Sequence, residues 1–200
     1  MGEIQSQEKL EKLIALIEEL ARWNKKINLT AIRSTQDMVS GHLLDSLAVR
    51  PFLQGKSIID VGSGAGFPGL PLAIVDPSLN YRLLDSNGKK IAFIKHVISL
   101  LNLKNVEAIK IRAEDYFPAS GFDTVIARAL TGIPNLIALT EHMLTKQGVI
   151  ISLKGKNPTK ELNNIPDNWK YSITKIIVPG LEEYERHIIS LRNLKMQLND

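Results

Sequence analysis

The most informative absence in this sequence of 200 residues is cysteine, of which it contains none. The chain therefore has no disulfide, thiolate metal ligand or thiol nucleophile, and its composition fits a reducing cytosol. It also lacks an apolar stretch long enough to span a bilayer, and Glu3, Glu8 and Glu11 are unlike the basic start of a signal peptide. We therefore expect a soluble cytoplasmic protein that binds no membrane and no metal ion.

A strong charge of either sign is missing as well. The formal net charge is +4 at pH 7, and the surplus lies in residues 56–200, because residues 1–55 hold equal numbers of basic and acidic side chains. This balance permits a polyanionic partner without requiring one. With 44% apolar residues, the chain is long enough to form one core for a catalytic domain with an appendage.

Two helices are predicted before residue 56. Apolar residues three or four apart predict an amphipathic helix over residues 6–27. A second helix is predicted from Ser34, whose hydroxyl can cap it together with Asp37 three residues later. Pro51 and Gly55 then end the helical part. We predict an N-terminal helical extension over residues 1–55 and a main domain over residues 56–200.

After Lys56, short β-rich runs alternate with helical stretches, which is typical of a doubly wound α/β fold with a mostly parallel sheet. Several of these runs are apolar throughout, as expected for strands covered by helices on both faces. Near the end, the runs YSITKIIV and HIISLRNL flank a turn at Pro179 and Gly180. They predict an antiparallel hairpin at the edge of the sheet.

The stretch IIDVGSGAGFPG joins a predicted strand to a helix and contains four glycines. Gly64, Gly66 and Gly69 fit the pattern of nicotinamide-dinucleotide sites, in which bare amides at a helix N-terminus hold a pyrophosphate. Gly62, Gly64 and Gly66 after the acid Asp60 instead resemble the first motif of class I S-adenosylmethionine-dependent methyltransferases. There, an acid helps to supply the negative potential that an ammonium group requires. A third interpretation is that the glycines only form a tight turn.

Residues at the ends of later strands extend this candidate cofactor site. Asp85 ends the second strand, where its carboxylate can accept hydrogen bonds from both hydroxyls of a ribose or form an Asx turn. Ala113 and Glu114 follow the third strand, where they can contact the edge of an adenine. Arg128 ends the fourth strand, at the edge where ligands bind in open α/β sheets. Its alternative role is a structural ion pair with an acid.

Residues and motifs that the sequence lacks narrow the choice of methyl acceptor. Methylation of carbon 5 in pyrimidines generally uses a cysteine, which is absent. Methylation of exocyclic amines typically uses an N/D-P-P-Y motif after the fourth strand, where this chain has ARAL. Nitrogen 7 of guanine already carries a free lone pair and requires no general base. A ribose hydroxyl remains an alternative acceptor, because Lys154 is a candidate to serve it.

Taken together, these motifs resemble the ribosomal RNA small subunit methyltransferase G family, also called glucose-inhibited division protein B. The resemblance runs through most of the chain, and the combination of motifs is very specific. The stretches that carry it are WNKKINLTAI, HLLDSL, DVGSGAGFPGLPLAI, LLDSNGKK, ARAL and LKG.

The resemblance implies a Rossmann-like class I fold that binds S-adenosylmethionine. It also implies methyl transfer to nitrogen 7 of a guanine, guanine 527 of 16S ribosomal RNA, so the partner is that RNA or the small ribosomal subunit. We expect the protein to act as a monomer. Phe67 is expected either to pack on the methionine part of the cofactor or to staple the start of a helix. The cofactor contacts that the resemblance implies are Gly62, Phe67, Ala113, Glu114 and Arg128.

Basic residues near the site are candidates for contact with RNA. Lys154 and Lys156 follow the fifth strand, and Lys154 and Arg128 are also candidates for orienting the substrate. Phosphate neutralisation by such side chains depends on salt and is blind to sequence, and each of them is otherwise ordinary solvated charge. Further candidates in the N-terminal extension are Arg22, Lys25, Lys26 and Arg33.

Three other residues have two interpretations each. His42 and Asp45 share a face of a predicted helix, so they either enter the site or pair with each other, and no third ligand for a metal is evident. Trp23 either stacks on a base or anchors the first helix to the main domain. Beside an RNA methyltransferase, three functions stay open: a nicotinamide-dependent oxidoreductase, a non-catalytic RNA-binding module and a small-molecule methyltransferase.

Overall fold

The computed structural model describes residues 7–194, which fold around one seven-stranded sheet. Along the sheet the strands lie in the order β3-β2-β1-β4-β5-β7-β6. The strands are β1 (Ser57–Val61), β2 (Asn80–Asp85), β3 (Val106–Lys110), β4 (Phe122–Arg128), β5 (Leu144–Lys154), β6 (Trp169–Ile176) and β7 (Arg186–Asn193).

Strands β1 to β5 run parallel to one another, whereas β7 runs antiparallel to both β5 and β6. The prediction of a doubly wound, mostly parallel sheet with a C-terminal antiparallel hairpin is therefore confirmed. The order reverses between β1 and β4, so the carboxyl ends of these two strands form the crevice where open α/β sheets bind ligands.

Helices cover both faces of the sheet. One face packs against α1 to α5, and the other packs against α6 and α7, so each face has its own cluster of buried apolar side chains. The helices are α1 (Gln7–Asn24), α2 (Thr35–Met38), α3 (Asp45–Leu47), α4 (Gly69–Val75), α5 (Gly88–Leu100), α6 (Ile133–Thr140) and α7 (Thr159–Leu162).

Helix α1 ends at Asn24, three residues before the predicted end. The buried Asn24 side chain accepts from the backbone N–H of Leu29 and donates to the carbonyls of Thr30 and Ile32. An amide side chain that bonds nearby backbone groups offers the chain an alternative to further helical turns. Asn24 thereby folds the segment after α1 back toward the sheet. The predicted start at residue 6 lies outside the described residues.

The second predicted helix begins as expected. Ser34 is its N-cap and accepts from the backbone N–H of Asp37 at 3.3 Å. Between α2 and α3, however, the backbone is π-helical over Val39–Leu44. The sequence pattern did not predict this wider turn, which is often found at functional sites.

The N-terminal helices are not separate from the sheet. Leu13, Leu16 and Leu20 of α1 are buried in the same apolar cluster as Ile58 of β1. The division into residues 1–55 and 56–200 stays a prediction, and β1 begins just after it, at Ser57. Within residues 7–194, no helix is both long enough and apolar enough to cross a membrane.

Candidate functional site

A cleft of about 630 Å³ lies at the carboxyl ends of β1, β2 and β4. It brings together residues that are distant in sequence, and its wall also includes Leu29 and Thr30 from the segment that Asn24 holds. The residues predicted for the cofactor that line this cleft are Gly62, Gly64, Phe67, Asp85, Ala113, Glu114 and Arg128.

The remaining two predicted cofactor residues, Asp60 in β1 and Gly66 in the glycine loop, do not line the cleft. Gly66 has a positive φ of 86°, and an added Cβ would lie 2.4 Å from Cδ1 of Leu70. Gly64 also has a positive φ, of 60°, but an added Cβ would have open space around it. Gly66 therefore serves the packing of the loop, whereas Gly64 serves close approach to the cleft.

Asp60 at the end of β1 is only 1% exposed. Its Oδ2 accepts from the backbone N–H of Gly69 at 2.8 Å, while its Oδ1 is buried and has no hydrogen-bond partner among the described residues. Burial raises the pKa of Asp60 to about 7, although the Gly69 bond and the charge of Arg128 act in the opposite direction. A buried acid with one unpaired oxygen fits a positively charged ligand above the loop.

The same geometry disfavours a dinucleotide. A pyrophosphate would need the free backbone amides at the start of α4, but the Gly69 amide already donates to Asp60. A buried carboxylate beneath the loop would also repel a phosphate. Gly64, Gly66 and Gly69 thus match the nicotinamide pattern in spacing only.

Asp85 forms the Asx turn that its sequence context suggested, and its contact with a ribose stays a prediction. Its Oδ1 accepts from the backbone N–H of Asn87 at 2.7 Å, which forms the Asx turn, and its Oδ2 accepts from Gly64 N–H at 2.9 Å. Each carboxylate oxygen can accept a second hydrogen bond, so Asp85 still has capacity for a ribose diol. The turn holds the carboxylate at the cleft wall.

Ala113 and Glu114 lie in a 3-10 turn (Ala113–Asp115) that follows β3. The Glu114 side chain is 56% exposed, and its Oε1 is 3.8 Å from Nη1 of Arg112. This turn places backbone groups and one carboxylate at the far end of the cleft from Arg128. The arrangement suits recognition of a base edge.

Arg128 at the end of β4 contacts three groups on the helical segment that contains the π turn. Its Nη1 donates to Gly41 O and to Oδ2 of Asp45, both at 3.3 Å, and its Nη2 lies 3.3 Å from Nδ1 of His42. His42 and Asp45 therefore do not pair with each other. Both hold Arg128, since His42 lies in the π turn and Asp45 follows it directly as the first residue of α3.

His42 is held from both sides, since its Nε2 lies 2.7 Å from Oγ1 of Thr30. Burial, together with the neighbouring charge of Arg128, lowers the pKa of His42 to about 4. The ring is therefore neutral near pH 7. A hydrogen-bonded chain from Thr30 through His42 to Arg128 joins the N-terminal extension to the cleft.

Phe67 is buried in the core next to the start of α4, which fits a staple at the helix start, and its packing on the methionine part of the cofactor stays a prediction. It is 2% exposed within the core, yet it lines the cleft. Its ring centroid lies 5.1 Å from that of His42 and 6.0 Å from the guanidinium carbon of Arg128. The Phe67 ring therefore packs against the side chains of both His42 and Arg128.

Lys154 at the end of β5 is not a free cation. Its Nζ donates to Oε2 of Glu161 at 2.8 Å and to Thr131 O at 2.9 Å, and the same Glu161 oxygen accepts from the backbone N–H of Ile133. This clamp fixes the loop between Arg128 and α6. Contact of Lys154 with RNA or substrate stays a prediction. Lys156 is exposed and forms no such bonds with residues 7–194.

The N-terminal candidates differ in their surroundings. Arg22 pairs with Glu19 in α1, and Arg33 donates to Oδ1 of Asn28. The Trp23 ring lies 5.5 Å from that of Phe93 in α5, edge to face, so Trp23 anchors α1 to the main domain. The side chains of Lys25 and Lys26 are exposed and form no hydrogen bond or ion pair with the residues that the structure describes.

Sequence reasoning missed three residues that the structure brings to the site. Thr30 was part of a recognised stretch but had no assigned role, Glu161 lay in an irregular polar segment, and Arg186 lies far along the chain. The run HIISLRNL predicted a strand of the C-terminal hairpin, but it carried no signal that Arg186 reaches Asp45 at 3.1 Å. Within residues 7–194, no group of three or more His, Asp or Glu side chains is arranged to hold a metal ion.

Comparison with solved structures agrees with this architecture. An O-methyltransferase from Bacillus cereus, crystallised in complex with S-adenosylhomocysteine, superposes with a TM-score of 0.62 at 16% identity, over 90% of this chain and 91% of that one. At this identity, the likeness shows a shared Rossmann-like methyltransferase fold.

Sequence comparison goes further. Ribosomal RNA small subunit methyltransferase G of Legionella pneumophila (strain Corby) is 49% identical over 174 residues, covering 87% of this chain and 82% of that one. The protein of the same name from Idiomarina loihiensis is 44% identical over 185 residues, covering 92% and 89%. Residues 9–189 match the family GidB, described as rRNA small subunit methyltransferase G. The chain belongs to the rRNA small subunit methyltransferase G family.

Proposed function

We propose that this protein transfers a methyl group from S-adenosylmethionine to nitrogen 7 of a guanine in the 16S RNA of the small ribosomal subunit. The observation that carries the proposal is the cleft itself. It joins the glycine loop, Asp85, the Ala113–Asp115 turn and Arg128 along one edge of the sheet. Family membership supports the RNA substrate.

The residues present fit this cofactor. Asp85 would accept from the ribose hydroxyls, and Ala113 and Glu114 would contact the adenine edge. At the other end, the guanidinium of Arg128 would bind the methionine carboxylate, and the unpaired Oδ1 of the buried Asp60 would add negative potential toward its ammonium. When bound, the cofactor supplies a methyl group on a positively charged sulfur.

The loop glycines and Phe67 would contribute through their shape rather than through charge. Gly64 has a positive φ and leaves room for close approach to the loop. Gly62 also has a positive φ, but an added Cβ there would lie 2.6 Å from Cδ1 of Leu130, so Gly62 lets Leu130 pack on the loop as Gly66 lets Leu70. Phe67 would support the methionine part while it keeps His42 and Arg128 in place. Positioning of donor and acceptor in line provides much of the rate in such displacements.

The groups around Arg128 support an acceptor that loses no proton. A guanidinium only donates hydrogen bonds, so the single lone pair of His42 Nδ1 is already used by Arg128, and Asp45 binds an arginine through each of its oxygens. His42 is therefore not free to act as a general base. Nitrogen 7 of guanine needs no base, whereas a hydroxyl or an amine must lose a proton.

We further propose that the protein acts as a monomer in the cytoplasm, either on 16S RNA or on the assembling small subunit. The basic side chains Lys25, Lys26 and Lys156 would contact phosphates around the cleft.

The test is transfer of labelled methyl groups from S-adenosylmethionine to small-subunit RNA, naked and in particles, from cells that lack this protein. Nucleoside analysis should find the label in 7-methylguanosine, and the Gly62→Asp variant should give none. Label in another nucleoside would replace the nitrogen 7 assignment but keep an RNA methyltransferase. Absence of label from both substrates, with protein that binds S-adenosylhomocysteine, would overturn the ribosomal substrate.

A further inference from the structure

A second cleft, of about 350 Å³, adjoins the cofactor cleft and shares Arg128 and Ala129 with it. It lies where β4, β5 and β6 end and β7 begins, whereas the Ala113–Asp115 turn lies at the other side of the cofactor cleft. A cofactor whose adenine is at that turn would present its methionine end to Arg128. The second cleft is therefore on the side of the transferable methyl group.

The lining of this cleft combines an apolar part with two guanidinium groups. Leu153 is 6% exposed and Ile188 is 1% exposed, and the half-buried Ile176 completes the apolar part. Arg128 and Arg186 provide positive charge, and Lys154, paired with Glu161, and Asp45 also line the cleft. Such a lining fits a flat aromatic base that carries hydrogen-bond acceptors on one edge.

Arg186 is held in place but keeps free donors. Its Nε donates to Oδ1 of Asp45 at 3.1 Å, and its Nη1 donates to Glu185 O at 2.9 Å. Its Nη2 has no acceptor within the part of the chain that the structure describes. A guanidinium has five N–H groups in a rigid fork, so fixing Nε aims Nη2 without using it.

Asp45 lies between the two arginines and is itself almost buried, with 8% of its side chain exposed. It holds Arg128 through Oδ2 and Arg186 through Oδ1. Its negative charge also offsets one of the two guanidinium charges. The lower net positive charge reduces the electrostatic repulsion of a base that becomes positively charged when its ring nitrogen is methylated.

We infer that the second cleft binds the acceptor guanine, with Nη2 of Arg186 donating to its O6 and Asp45 acting as the positioning residue for both arginines. This inference rests on the proposed function. O6 and nitrogen 7 lie on the same edge of guanine, so a bond to O6 directs nitrogen 7 toward Arg128 and the cofactor cleft. Nitrogen 7 gains the methyl group and the positive charge that the donor sulfur loses, and no proton is transferred.

The test compares two RNAs that differ only at the acceptor, guanine or 2-aminopurine, which keeps nitrogen 7 but lacks O6. Arg186→Met should lower kcat/KM for the guanine RNA by about 10- to 100-fold, because one charge-assisted hydrogen bond is lost. For the 2-aminopurine RNA, the same variant should change kcat/KM by less than about 3-fold, since the bond to O6 is already absent.

Two controls separate this effect from damage to the fold. Arg192→Met, on the same strand but outside the cleft, should match the wild type on both RNAs. Calorimetry with S-adenosylhomocysteine should give the same dissociation constant, within about 2-fold, for all three proteins. If Arg186→Met does not bind it, Arg186→Lys provides the same comparison of RNAs in a protein that keeps the charge next to Asp45.

Equal losses on both RNAs, or no loss on guanine, would overturn the assignment of Arg186 to O6. If the wild-type protein itself methylates no guanine in 16S RNA while binding S-adenosylhomocysteine, the proposed function fails and the inference fails with it. The two failures are distinguished by the wild-type reaction with the guanine RNA.

Discussion

Nη2 of Arg128 lies 3.3 Å from Nδ1 of His42, and this contact determines which ring nitrogen carries the proton. A guanidinium cannot accept, so Nδ1 is the acceptor and Nε2–H donates to Thr30 Oγ1. The backbone N–H of Ile32 donates to the same hydroxyl oxygen. The hydroxyl hydrogen of Thr30 therefore remains available at the wall of the cleft.

This geometry makes the stability of the protein depend on the charge of His42. Burial and Arg128 lower its pKa from 6.5 to about 4, so the folded state binds fewer protons than the unfolded state in that window. The stabilising contribution of neutral His42 is present above pH 6.5 and is lost as the pH falls toward 4. Replacement by Gln, which does not titrate, should remove this dependence.

The measurement is the free energy of unfolding of wild type and His42→Gln between pH 4 and pH 7. The wild-type value should fall relative to the variant by about 1–3 kcal/mol across this range, since one pKa unit corresponds to about 1.4 kcal/mol. Parallel curves would contradict a neutral, buried His42. NMR of the ring nitrogens should find the proton on Nε2 at pH 7.

Asp60 should have the opposite pH dependence. Its pKa is raised from 3.8 to about 7, so the folded state keeps a proton that the unfolded state gives up. Stability from this group is present below pH 4 and is lost as the pH rises to 7. Asp60→Asn removes the buried charge and keeps an oxygen that can accept from the Gly69 N–H.

We expect the stability of Asp60→Asn relative to wild type to increase by about 3–4 kcal/mol between pH 4 and pH 8, in the absence of cofactor. Chemical denaturation at these two pH values measures it. The variant should also bind S-adenosylmethionine more weakly, because the negative potential near the ammonium is lost. A stability difference that does not change with pH would show that Asp60 is ionised at both values.

Two glycines of the loop should respond differently to the same substitution. Both Gly64 and Gly66 have positive φ, so alanine costs about 1 kcal/mol of backbone strain at each. At Gly66, the new Cβ would also lie 2.4 Å from Leu70 Cδ1 and 3.3 Å from Ile94 Cγ1, which adds about 1–3 kcal/mol of overpacking. Gly66→Ala should therefore unfold at a lower denaturant concentration than Gly64→Ala.

The two variants should rank in the opposite order when the affinity of the folded protein for S-adenosylhomocysteine is measured. Gly64 lines the cleft and Gly66 does not, so Gly64→Ala should weaken binding more. Equal stabilities of the two variants would contradict the packing role of Gly66.

One part of the candidate site could be predicted from the sequence, and another part could not. Asp60 and the glycines were recognisable because a strand followed by glycines requires a tight turn, which is a local property. The partners of Arg128 were not, because the contact depends on a π turn at Val39–Leu44 that has no periodic signature. The doubly wound, mostly parallel sheet could be inferred from the alternation of strands and helices, but the approach of Arg186 to Asp45 depends on how the C-terminal hairpin pairs with β5.

The role of Lys154 could not be predicted either. The sequence around a lysine at the end of a strand does not show whether the lysine binds RNA or an acidic side chain of the same protein. In the structure it binds Glu161 and Thr131 O, with 15% of its side chain exposed, whereas the neighbouring Lys156 is exposed. Substitution of each lysine by methionine separates the two roles. Lys154→Met leaves Glu161 without its cation, so stability should fall by about 1–3 kcal/mol.

Lys156→Met should leave stability unchanged within about 0.5 kcal/mol, because it is a surface substitution. If Lys156 contacts a phosphate, its loss should reduce the slope of log affinity for RNA against log salt by about 1, and Lys154→Met should leave that slope unchanged. Filter binding at a series of salt concentrations measures both slopes. A reduced slope in Lys154→Met with unchanged stability would show that Lys154 leaves Glu161 to bind RNA, so the two measurements together decide which lysine meets the substrate.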